Sequence, residues 1–64
     1  MDEEKATELL DQLKNGERKE LLVKKEDFFV FREVLVKRDD FKHFRGIAQK
    51  GGDIRYEYME KPRS

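Results

Sequence analysis

Two hydrophobic periods divide this chain. Between residues 2 and 14, Ala6, Leu9, Leu10 and Leu13 recur at the i, i+3, i+4, i+7 spacing that gathers apolar side chains into one stripe on a helix. Between Ile54 and Met59, apolar and polar residues alternate with the period of two that a half-buried strand requires. The helix is marked at both ends. Asp2, Glu3 and Glu4 stand where the positive end of the helix dipole favours anions, and Lys14-Asn15-Gly16 supplies a cation followed by residues that tolerate a left-handed cap. A helix this short is marginal in water, so its leucine stripe must dock on something, a sheet face being favoured over the groove of a partner.

The segment Lys19 to Lys24 reads as a short strand with Leu21 and Val23 on one face and Leu22 on the other. Its charged flanks suit an exposed edge. Glu26 to Arg38 admits two readings. As a helix it puts Phe28, Phe31, Val34 and Leu35 on one side, with Glu26 and Asp27 in the first turn and Lys37 and Arg38 in the last. As a strand it sets Arg32 and Glu33 in mid-strand, one charge on each otherwise apolar face, so the helix is favoured.

Phe41 to Met59 reads as a β-hairpin turning at Lys50-Gly51-Gly52-Asp53, because glycine reaches the positive φ of a tight hairpin turn without steric cost. A two-residue turn sets Gln49 opposite Ile54, Ile47 opposite Tyr56, Arg45 opposite Tyr58 and Phe44 opposite Met59. Ile47, Ile54, Tyr56 and Tyr58 then face the helices, while Gly46, Ala48, Arg55 and Glu57 take the other side; a three-residue turn instead sets Gly46 across from Tyr58 and moves Ile47 to the other face. Gly46 inside a strand marks a bulge or a close backbone approach. The tail, Glu60 to Ser64, has no apolar anchor and is expected to fray. The expected fold is a small two-layer α+β domain over residues 1–64, in the order α-β-α-β-β. Its largely antiparallel sheet is built on the C-terminal hairpin, with the helices on one face.

Composition limits what such a domain can do. Only 36% of the 64 residues are hydrophobic against 47% charged, so the core is thin and self-association is one route to extra stability. There is no cysteine and one histidine, which excludes disulfides, thiolate metal sites and histidine clusters; no cofactor or metal site is expected. No apolar run approaches the roughly 20 residues of a membrane span, and the first residues are acidic where a signal peptide is basic, so a cytoplasmic protein without membrane contact is expected. Residues 1–36 carry ten acids against seven bases, a balance of −3; residues 37–64 carry five against eight, or +3. That asymmetry favours self-association or an anionic partner at the C-terminal half.

Nucleophilic catalysis has little material: no cysteine, one serine at the C-terminus, Thr7 inside the first helix and the lone His43. The acid pairs Glu3-Glu4, Glu26-Asp27 and Asp39-Asp40 are accounted for by helix ends and solubility. No enzyme is expected. The candidate surface is basic and aromatic: Lys42, His43, Arg45 and Lys50 along the first hairpin strand, with Arg55 and Tyr58 on the second. Residues 41–51 hold three bases, a histidine and two phenylalanines without one acid. Lysine and arginine contact phosphates and exposed rings stack on unpaired bases, so RNA or single-stranded DNA is one class of partner. It is the alternative, because the chain as a whole is not basic and the ring pattern of RNA-recognition sheets is missing. The leading expectation is a small non-enzymatic interaction or regulatory protein that binds a protein partner, or itself as a homodimer through an open sheet edge.

Overall fold

The leucine stripe and its caps build the first element. In the computed structural model, which describes residues 1–62, helix α1 spans Glu3–Lys14, and the Asp2 carboxylate caps it by accepting from the Lys5 amide at 2.7 Å. Gly16 takes φ +80° just beyond the Asn15 cap and turns the chain away. Ala6, Leu9, Leu10 and Leu13 are all buried. Strand β1 is Leu21–Val23, shorter than the expected 19–24, with Leu21 and Val23 buried and Leu22 49% exposed.

The segment after β1 is helical, as favoured. A 3-10 turn at Lys25–Asp27 leads into α2, Phe28–Val36. Phe31 and Leu35 are buried, and Phe28 and Val34 pack partly buried beside them. The helix turns Arg32 and Glu33 both to solvent, which no strand could do. Glu26 and Asp27 fall in the 3-10 turn and not in the helix proper.

A second 3-10 turn, Phe41–His43, opens the hairpin of β2, Phe44–Ala48, and β3, Ile54–Tyr58. Its register is one residue off that of the two-residue turn: the loop has three residues, which moves Ile47 to the other face, but Gly46 pairs with Tyr56 and not with Tyr58. Phe44 lies opposite Tyr58, Gly46 opposite Tyr56, Ile47 opposite Arg55 and Ala48 opposite Ile54. The turn closes where the Gln49 amide donates to the Asp53 carbonyl at 2.8 Å, leaving Lys50-Gly51-Gly52 as the loop, with Gly51 and Gly52 at φ +90° and +92°. Asp53 is anchored in turn to the end of β1, where its carboxylate accepts from the Lys25 amide at 3.1 Å.

That slip exchanges the two faces of β2, so Ile47 turns away from the helices while Gly46 and Ala48 turn toward them. Burial explains the choice. The two-residue register directs Arg45 and Gln49 inward with Ile47, whereas the observed one leaves Arg45 exposed and drives Phe44 to zero exposure.

The sheet runs β1-β3-β2, with β3 antiparallel to both neighbours. The last strand is therefore the central one, and β1 and β2 are the two edges. Both helices cover the face that carries Leu21, Val23, Phe44 and Tyr56, and the Phe31 and Tyr56 rings meet at 4.8 Å between centroids. The result is the two-helix, three-strand α+β order read from the sequence. Of the tail expected to fray, residues 63 and 64 lie outside the described residues.

Candidate functional site

The six residues singled out in the hairpin do not form one surface. Arg45 and Arg55 lie on the sheet face away from the helices, where the Arg55 Nε sits 3.6 Å from a Glu20 carboxylate oxygen. Tyr58 points to the opposite face, its ring against that of Phe44 at 5.1 Å. His43 stacks on Tyr58 at 5.3 Å with 10° between the planes, and its Nδ1 lies 2.8 Å from the Met59 carbonyl. Lys42 and Lys50 are exposed at opposite ends of β2. Of the hairpin's rings, Phe44 and Tyr56 are buried and present no face to a base.

The bottom of α2 and the start of β2 are fastened by Arg38. Its Nε and Nη2 reach the Asp40 carboxylate at 2.9 and 3.3 Å, and Nη2 also lies 2.9 Å from Asp11 on α1. The guanidinium covers the Phe44 ring at 5.7 Å. Hydrogen bonds from Arg38 hold the Asp40 carboxyl below its ordinary value, and Asp40 in turn raises the Arg38 guanidinium. This cluster ties three elements together and has its bonding satisfied within the fold, so it reads as structure.

An unsatisfied surface lies beside it, along β2. The Met59 amide donates to the His43 carbonyl at 2.7 Å and Gln49 donates to Asp53, which places the residues that hydrogen-bond to β3 at odd positions. Gly46 and Ala48 therefore aim their amides away from β3, at the open edge, and the Gly46 carbonyl points the same way. The Phe44 amide, by contrast, is taken by the Phe41 carbonyl. Among the described residues no strand pairs with this edge.

Next to the edge, on the helix side, is a groove of about 320 Å³ between α2 and β2. Phe28, Leu35, Val36, Phe41 and Tyr56 give it apolar side chains beside exposed polar surface, and the missing side chain of Gly46 opens it: a Cβ there would lie 3.1 Å from the Tyr56 ring. Arg32 is its one charged lining residue. Val36 stays 47% exposed, and Phe29, two turns earlier on α2, is 78% exposed. A larger depression on α1, lined by Glu4, Thr7, Glu8, Asp11, Gln12 and Glu17, has no apolar side chain in its lining and reads as a solvated helix face.

The groove was not foreseen from the sequence, because Phe28, Phe41 and Tyr56 are far apart in the chain. Gly46 was its one visible sign: glycine within a strand marks a place where something approaches closely, and here that is the Tyr56 ring. Among the described residues no helix is long and apolar enough to cross a membrane.

No curated protein matches this chain. No solved structure matches it either. A family model does match, over residues 3–57, which takes in both helices and all but the last residue of the sheet, and the chain belongs to the YkzS-like protein family.

Proposed function

We propose that this protein is a small non-enzymatic interaction module of the cytoplasm that binds another protein through the open edge of β2 and the groove beside it. One observation carries the reading: the Gly46 and Ala48 amides point out of the sheet directly beside an apolar groove, so hydrogen-bonding and hydrophobic contacts are available to one extended segment. The other edge is poorer for this purpose. β1 offers only three residues against the five of β2, and the groove beside Gly46 lies along β2.

A photo-crosslinking residue placed at Val36, used in the native cell, tests this. It should give adducts of defined mass that a probe at Glu8 on α1 does not, and Ala48→Pro should abolish them by removing an outward amide without touching the β3 ladder. A pattern the same at both positions would sink the reading, and adducts of twice the chain's mass would identify the partner as a second copy.

A further inference from the structure

The charges around the β2 edge say what kind of segment fits it. Arg32 lines the groove, Arg45 lies on the strand, and Lys42 and Lys50 flank its two ends. Among the described residues none of these four has a carboxylate within 4 Å, so their charge is not neutralised by an ion pair within the fold. From Phe41 to Gly52 there is no acid at all. Across the ladder, Glu57 is the strand partner of Arg45, and Asp53 stands opposite Gln49. A cation-lined edge repels a second copy of itself, since antiparallel pairing about Gly46 would set the same four cations of each chain against one another. It attracts an anionic strand.

We infer that the β2 edge takes an extended acidic segment of a partner protein as a fourth strand, with alternate apolar side chains entering the groove over Gly46. The inference rests on the edge-binding function proposed above and adds the chemistry of the partner. Period-two geometry divides the work. Side chains on the helix side meet Phe28, Val36 and Phe41, and those on the other side lie beside Arg45, with Lys42 and Lys50 at the ends. The backbone of the segment donates to the Gly46 carbonyl and accepts from the Gly46 and Ala48 amides.

The test uses the full chain, labelled with nitrogen-15, and two short capped peptides, one alternating glutamate with valine and the other lysine with valine. The acidic peptide should shift the Gly46 and Ala48 amide resonances and slow their hydrogen exchange. Its affinity should fall with added salt, and the basic peptide should bind at least about tenfold more weakly. Arg32→Glu with Arg45→Glu should reverse the preference. Equal binding of both peptides at these amides overturns the acidic assignment and leaves the edge reading standing. No shift at Gly46 or Ala48 from either peptide, up to millimolar concentration, overturns the edge reading itself. A single-stranded oligonucleotide that shifts the same amides at lower concentration than the acidic peptide assigns the cations to phosphate and overturns the proposal, as does concentration-dependent dimerisation through them.

Discussion

Gly46 stands directly across from Tyr56, and a Cβ on it would come within 3.1 Å of the tyrosine ring and 3.3 Å of an Ile54 methyl. The glycine is needed for the space it leaves and not for an unusual backbone, since its φ is not among the positive ones. Tyr56 is a core residue, held against Phe31, so its ring cannot swing clear without disturbing the packing between helix and sheet.

Gly46→Val is therefore expected to lower stability by about 1–3 kcal/mol, as overpacking does, despite valine's preference for strands. Urea unfolding followed by circular dichroism measures it. A midpoint equal to or above that of the parent would show that Tyr56 yields freely and that the groove is not a rigid feature.

Arg38 and Asp40 predict an acid-side dependence of stability. The folded chain holds the Asp40 carboxyl below its ordinary value of 3.8, chiefly through the Arg38 hydrogen bonds, and the unfolded chain does not. The pair's stabilisation is thus complete above that ordinary value and is lost as pH falls through the lower, folded one. Melting temperatures recorded from pH 7 down to pH 2 should fall more steeply for the parent than for Asp40→Asn, the two curves converging in acid. Parallel curves would mean that the pair contributes no linkage.

Phe29 and Phe31 are two residues apart on α2 and should behave oppositely. Phe31 has no exposure, so Phe31→Ala is expected to cost about 3–5 kcal/mol. That is comparable to the roughly 3–5 kcal/mol a domain of this size holds, leaving the variant largely unfolded at room temperature. Phe29→Ser removes a ring that is 78% exposed, and a change within about 0.5 kcal/mol is expected. Chemical denaturation of the two variants side by side decides the matter, and a large loss for Phe29→Ser would mean that its ring is covered in solution.

Local pattern made part of this architecture readable in advance. Helix α1, its four buried apolar residues and its caps follow from a clean 3.6-residue period with matching charges at the ends. The helical state of the following segment was readable from its charges, because only a helix keeps both Arg32 and Glu33 out of the core. β3 was plain in its alternation, and the glycine pair was correctly placed in the turn.

Which residues form helix and strand, and where the chain reverses, is written locally in the chain, since these depend on neighbours within a few positions. The hairpin's register is different. Both registers satisfy the glycine turn, and the decision falls to Phe44, whose burial against Tyr58 and under the Arg38 guanidinium depends on how the helices pack on the sheet. Only the tertiary structure placed β3 in the centre, left β2 as an open edge and brought Phe28 and Val36 of α2 beside Gly46. The candidate site is made of those long-range choices, because an edge and a groove exist only once the sheet order and the helix packing are set.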